Sequence, residues 1–98
     1  MGKYRLSKSA DKEFEMIFDY GIDTFGQDQA LTYQTKLKER FSLIAEQPYL
    51  YPAVEHIRAG YRRSVCGVHS IYYRIAEQGV VIMHILGRQN PKKQEWEQ

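Results

Sequence analysis

The chain has a single cysteine, Cys66, so no disulfide can close within it. A lone Cys in a short chain suits a reducing compartment, and its plain reading is a small apolar side chain packed in a strand. A reactive thiol needs an accessible, electropositive setting, for which the sequence offers only the neighbouring Arg62 and Arg63. Long hydrophobic runs are also missing. Val80 to Leu86 is broken by His84 and falls far short of the ~20 residues a membrane helix needs. Met1-Gly2-Lys3 leads straight into Tyr4-Arg5-Leu6 with no apolar segment, so no signal peptide is expected and a cytoplasmic location is. Three His and one Cys lie scattered, without an HxxxH or CxxC pair, so no metal site is expected. Gly60, Gly67, Gly79 and Gly87 stand apart from one another, which excludes a phosphate-cradling loop. No nucleophile–base spacing, repeat, low-complexity tract or linker is present, and neither a cofactor nor a small-molecule substrate is expected.

Two further absences are local. No Asp or Glu occurs from His56 to Ala76, and no Lys occurs between Lys38 and Lys92. The first stretch nevertheless contains Arg58, Arg62, Arg63 and Arg74. A net charge of +2 over 98 residues does not by itself point to nucleic acid, so the clustering is what carries information.

Ile57 to Arg88 reads as three strands. Gly67 marks one turn and Glu77-Gln78-Gly79 the other, because Gly supplies the positive φ that hairpin turns use. Val65, Val68, Ile71, Tyr72, Tyr73 and Ile75 suit a pleated surface, and the apolar run Val80 to Leu86 suits a central strand buried on both faces. Alternation places His69, Ile71, Tyr73 and Ile75 on one face. Ser70, Tyr72 and Arg74 fall on the other, which is expected to be the exposed, functional one.

Ahead of these strands, Tyr4-Arg5-Leu6-Ser7 reads as a short first strand. Ala10, Phe14, Ile17, Phe18, Gly21 and Phe25 recur at helical spacing over roughly Ser9 to Thr24, capped by Ser7 or Ser9 and closed at Gly26 in a left-handed conformation. A second stripe, Ala30, Tyr33, Leu37, Phe41 and Ile44, begins near Gln27 and stops at Pro48. Its polar outer face holds Gln29, Thr32, Lys36, Glu39 and Arg40. Both stripes read as core. Pro48 to Glu55 is a loop whose Tyr49, Leu50 and Tyr51 are expected to pack back onto the fold. After Asn90 the chain is polar apart from Trp96. The sum is one α+β domain over residues 1–98, ordered β-α-α-β-β-β, with an antiparallel sheet packed on one face by a helical hairpin.

In Leu6-Ser7-x-x-Ala10, Phe25-Gly26, Leu43-x-x-x-Gln47-Pro48, Ile57-Arg58-x-Gly60-Tyr61-Arg62-Arg63, Gly67-x-His69-x-Ile71-Tyr72-Tyr73 and Ile85-Leu86-x-Arg88, taken in that order, the chain resembles the ParE toxins of the RelE/ParE superfamily. That resemblance implies the toxin of a type II toxin–antitoxin system, with a ParD-like ribbon-helix-helix antitoxin and DNA gyrase as partners. Many ParE toxins have a His and a Met-Asp pair near the segment that here reads Leu86-Gly87-Arg88-Gln89-Asn90-Pro91, and some have a closing helix that looks short or absent here.

RelE-type relatives share the fold but cut messenger RNA at the ribosome. Such cleavage needs a base, an acid and cations around the phosphate. Candidate parts are Glu55, His56, His69, His84 and arginines 62, 63, 74 and 88, but no late Lys or Tyr accompanies them within the strands. His84 in an apolar strand reads as a hydrogen-bonded structural His. The expectation is therefore a toxin without catalytic residues that acts by binding, with Arg58, Tyr61, Arg62, Arg63, Tyr72, Arg74 and Arg88 as the partner-binding set. Guanidinium forks pair bidentately with carboxylates, and tyrosines among them are typical of interface hot spots. The plainer reading of the same arginines is a solvated strand face that deters edge pairing.

Overall fold

Ser7 is where the first strand becomes the first helix. Its backbone is extended, its Oγ accepts the Ala10 N–H at 3.0 Å, and the helix that follows runs Lys8–Phe25 (α1). The computed structural model describes residues 2–87. Before α1 lies β1 (Tyr4–Leu6); after it come α2 (Gln27–Glu46), β2 (Tyr61–Cys66), β3 (His69–Ala76) and β4 (Gly79–Gly87), in the expected order and class. Arg88, Trp96 and the rest of the tail lie outside the described residues.

The joint between the helices is one residue, Gly26, at φ 94° and ψ 165°. This is the extended positive-φ region that only glycine visits readily, rather than the left-handed helical conformation expected there. The two helices return on one another and share one face of the sheet. Ala10, Leu37, Phe41 and Ile44 pack there against Ile71, Tyr73, Ile82 and Ile85, with Phe14 and Phe41 in tilted ring contact. Removing each such large apolar side chain from water contributes about 1.5–3 kcal/mol.

The sheet order is β1-β4-β3-β2. β2, β3 and β4 form an antiparallel meander, joined by two-residue turns at Gly67-Val68 and Glu77-Gln78. The expectation of a wholly antiparallel sheet needs correction at one edge, because β1 pairs parallel with β4 (Tyr4 opposite Val80, Leu6 opposite Ile82). The helical hairpin accounts for this. Two antiparallel helices and the loop bring the chain back at the far edge, and the meander then carries β4 to β1 running in the same direction.

Beyond Leu6 no strand among the described residues covers the edge of β4, and α1 with its cap takes over. Ser7 N–H donates to Ile82 O (2.9 Å), Ser7 Oγ donates to Met83 O (2.8 Å), and Ile85 N–H donates to Glu13 Oε1 (2.9 Å). The strand bulges at this place. Tyr72 faces His84 but Tyr73 faces Ile82, which leaves Met83 as the extra residue.

The face opposite the helices was expected to be open. It is partly roofed by the segment 48–60. Val54 N–H donates to Tyr61 O, Arg63 N–H donates to Pro52 O, and Val54 packs with Tyr61 and Tyr72 in a second small core joined by Ile57, Met83 and Leu86. Tyr51 turns inward as expected, whereas Tyr49 and Leu50 are exposed.

Candidate functional site

The arginines fall on two sides of the sheet. Cross-strand pairing puts Tyr61 opposite Arg74 and Arg63 opposite Tyr72, so Tyr61, Arg63, Tyr72 and Arg74 share the face away from the helices. Arg58 joins them from the roofing loop, its guanidinium 5.9 Å from the Tyr61 ring centre, and Arg63 lies 6.0 Å from that of Tyr72. The two rings are not open stacking surfaces. Tyr72 is 1% exposed and Tyr61 7%, because Val54 and Ile57 cover them. They form the floor on which the cations rest. Arg63 Nε donates to Ser70 Oγ (3.1 Å), which fixes its stem while leaving it half-buried.

Arg62 points the other way. Its Nη1 donates to Tyr51 O (2.6 Å) and its guanidinium lies 4.9 Å from the Tyr49 ring centre. Beside it Arg40, which had been assigned to the polar outer face of α2, reaches the edge of β2. Nη1 donates to Ser64 Oγ (2.9 Å) and Val65 O (2.7 Å), and the guanidinium stacks 5.5 Å from the Tyr51 ring centre. Tyr73 completes this cluster by donating its hydroxyl to Pro48 O (2.7 Å). Burial raises the Tyr73 pKa above the ordinary phenol value, and nearby Arg62 pulls it partly back. Arg62 and Arg40 thus act as clamps between the loop, α2 and the sheet.

A second surface lies between the helices. An apolar groove of about 620 Å³ runs along α1 and α2 to the β2–β3 turn, lined by Phe14, Ile17, Tyr20, Phe25, Leu37 and Val68 among others. Tyr20, Phe25 and Val68 are each more than 60% exposed, a contiguous apolar opening of the kind that marks a binding surface. Its floor at one end is polar. Tyr33 Oη lies 2.7 Å from His69 Nδ1, 3.1 Å from Cys66 O and 3.2 Å from Val68 N. Desolvation raises the Tyr33 pKa and lowers that of His69. Gly67 is bent around this contact at φ 60°, where an added Cβ would stand 2.7 Å from the Tyr33 hydroxyl.

The groups that RNA cleavage would need do not gather. His84 Nδ1 is 3.2 Å from Glu13 Oε2 at the β4 edge, in the structural pairing expected for it. His69 is in the groove, and Glu55 accepts the Gly60 N–H in the loop that also carries His56. Among the described residues no group of three or more His, Cys, Asp or Glu is placed to hold a metal ion, and no helix is long and apolar enough to cross a membrane.

Residues 4–91 match the family model described as ParE toxin of type II toxin-antitoxin system, parDE. The chain belongs to the ParE toxin family. Among curated ParE proteins, it is 35% identical to Toxin ParE1 of Caulobacter vibrioides over 82 residues, covering 84% of this chain and 85% of that one. It is 34% identical to Toxin ParE1 of Mycobacterium tuberculosis over 79 residues, 81% of each. A solved structure titled as the chromosomal ParDE TA system from P. aeruginosa superposes with a TM-score of 0.77 at 16% identity, covering 89% of this chain and 96% of that one. The fold is therefore that of a ParE toxin as well.

Of the seven residues expected to bind partners, the ParE fold brings Arg58, Tyr61, Arg63, Tyr72 and Arg74 together on one face. It sends Arg62 to the opposite side, and Arg88 lies outside the described residues. Arg40 and the polar floor of the groove were missed. Arg40 was missed because a helix-face pattern shows polarity and not reach. Tyr33 sat within the α2 stripe, where it reads as core. A Tyr in that stripe together with Gly-x-His in the facing turn was the available signal for the floor.

Proposed function

We propose that this ParE-family toxin acts by binding and breaks no bond itself. Its target is DNA gyrase in the cytoplasm, and a ParD-like ribbon-helix-helix antitoxin silences it by laying a segment in the helical groove. The observation that carries this reading is the separation of two unlike surfaces. One is a face where Arg58 and Arg63 rest on a tyrosine floor with Arg74 on the same side of the sheet, in a stretch without carboxylates. The other is an open apolar groove along the helices. The arginine face suits a negatively charged partner such as a protein–DNA complex, since guanidinium groups pair with phosphate and carboxylate alike. The groove suits an amphipathic helix, which lays its apolar stripe into such clefts. Support for action without catalysis comes from the histidines, which stand apart: His69 on Tyr33, His84 on Glu13 and His56 in the loop.

Adding the purified toxin to a gyrase supercoiling reaction tests this directly. Supercoiling should fall at micromolar toxin and recover when the antitoxin encoded beside it is added. Full supercoiling at that concentration would remove the gyrase reading. One observation favours the rival endoribonuclease. Arg63 and His69 line the same hollow, next to Tyr20 and Gly87. Among the described residues that line this hollow none is a carboxylate, and the His69 Nδ1 is already engaged by Tyr33. Codon-positioned cuts in a translated message, lost on His69→Ala, would establish the rival.

A further inference from the structure

The hydroxyl of Tyr33 has three close neighbours and one proton. Val68 N–H can only donate to it, and the Cys66 carbonyl can only accept from it. If the phenol proton pointed at His69, two oxygen lone pairs would face each other across 3.1 Å with no hydrogen between them. The proton therefore lies toward Cys66 O. One phenol lone pair takes the Val68 N–H, and the other takes a proton carried by His69 Nδ1, 2.7 Å away. This donor–acceptor inventory places a proton on His69 Nδ1, so that in the neutral ring Nε2 is a bare acceptor. Desolvation of the ring, which holds its pKa below the ordinary imidazole value, favours that neutral form. Among the described residues no buried side-chain nitrogen lacks a partner. Nε2 is accordingly open to solvent, in a ring that lines both the long groove and the adjoining hollow.

We propose that His69 Nε2 is a polar selection point in this groove, taking a hydrogen-bond donor from the apolar stripe of a helical antitoxin segment. This rests on the reading that the antitoxin occupies the groove. The occupant's chemistry follows from the lining. Apolar side chains at helical spacing meet Phe14, Ile17, Phe25 and Leu37, and one neutral or cationic N–H or O–H group meets Nε2. Acidic residues flanking that donor meet Lys36 and Arg63, which stand at the His69 end. A segment lacking the donor would leave Nε2 stripped of water and unpaired, and that asymmetry is what gives a polar atom in an apolar cleft its selectivity.

The sign of the pH effect is fixed. Protonating Nε2 converts the acceptor into a donor facing a donor. Antitoxin affinity is then full while His69 is neutral and falls as the pH drops through its depressed pKa. Among the described residues, the other ionisable groups of the groove and hollow are Asp28, Tyr33 and Lys36 from α2, Tyr20 from α1, and Arg63 and Cys66 from β2. None of these residue types ordinarily changes charge between about pH 5 and 7.

Two measurements test the proposal. Long-range 15N correlation spectra of the free toxin at about pH 7.5 should show the His69 Nδ1 protonated and the Nε2 bare; the opposite tautomer would overturn the assignment. Titration calorimetry with the antitoxin encoded beside the gene, from about pH 5.5 to 7.5, tests selection, with circular dichroism melts confirming that each variant is folded. Wild-type affinity should weaken on acidification. His69→Phe should lose roughly ten- to hundredfold at the upper pH together with the pH slope, since a donor is left unpaired. His69→Gln, whose amide oxygen still accepts, should keep most of the affinity without the slope. Equal affinity for His69→Phe, or tighter wild-type binding at low pH, would overturn this proposal alone. Absence of any wild-type binding would remove it together with the antitoxin reading.

Discussion

Gly67 illustrates how much one position can constrain here. As the first of two central residues in the β2–β3 turn, it fits the type II′ pattern, in which glycine stands at that place. Its φ of 60° and the 2.7 Å approach of the Tyr33 hydroxyl both work against a side chain. Gly67→Ala should therefore cost at least about 1–2 kcal/mol from the backbone conformation alone. Urea unfolding should show a lower midpoint, and the His69 ring signals should shift as Tyr33 is displaced. Tyr33 and His69 also set a pH dependence of stability. The folded-state pKa of His69 is depressed, so the unfolded chain binds more protons just below the ordinary imidazole value of 6.5. Stability is full above that value and declines as the pH falls below it, until the folded form protonates too. The folded-state pKa of Tyr33 is raised above 10.0, so its contribution is full below that value and is lost as the pH rises past it. Denaturation midpoints measured across acid and alkaline pH should follow both signs, and His69→Gln should flatten the acid limb only.

The elements themselves were legible from periodicity. Two stripes at helical spacing and three short β-rich runs between glycine turns became α1, α2 and the β2–β4 meander. What stayed illegible was how the sheet's edges are closed, because that is done by single side chains and a loop. β1 has three residues, too few for alternation to reveal which strand it joins or in which direction. The segment 48–60 has prolines and no period, so nothing in its pattern marked it as a cover for Tyr61 and Tyr72. At the β4 edge Glu13 stands in for a missing strand, since its carboxylate accepts the Ile85 N–H and pairs with His84. Glu13→Ala should cost about 1–3 kcal/mol by leaving a strand amide unpaired, whereas Glu13→Gln should cost less because it can still accept. Hydrogen exchange at the Ile85 amide separates the two variants. At the β2 edge Arg40 does comparable work on Ser64 and Val65. Arg40→Lys should not fully substitute for it, because an ammonium can donate to both oxygens as Nη1 does but lacks the planar guanidinium that stacks on Tyr51. The amides of β2 should then exchange faster, with α2 unaffected.

Across the whole molecule, the arginine-bearing sheet face and the apolar groove of the helices are two surfaces that adjoin at Arg63. The arginine face was foreseeable from the missing carboxylates between His56 and Ala76, although Arg63 and Arg74 are half-buried and its tyrosines are floor rather than surface. The groove was not foreseeable, since Phe14, Ile17, Phe25 and Leu37, which line much of it, read as core in the two helical stripes. Exposure of Tyr20, Phe25 and Val68 becomes visible only in the folded chain, where the groove runs from the helices to the β2–β3 turn. This division predicts separable losses. Tyr20→Asp and Val68→Asp change side chains already in solvent, so the fold should persist, with melting temperatures within a few degrees of wild type. A carboxylate in the apolar stripe should nevertheless weaken antitoxin binding by roughly tenfold or more, since it must be desolvated without a partner. Cells carrying these variants should stay poisoned when the antitoxin is co-expressed. Arg58→Glu and Arg74→Glu should do the reverse. Antitoxin binding measured by calorimetry should hold, while gyrase inhibition should fall and its salt dependence flatten as charge contacts are removed. If groove and arginine variants instead lost both activities in parallel, a single shared surface would serve both partners, and the antitoxin would act by covering the arginines directly.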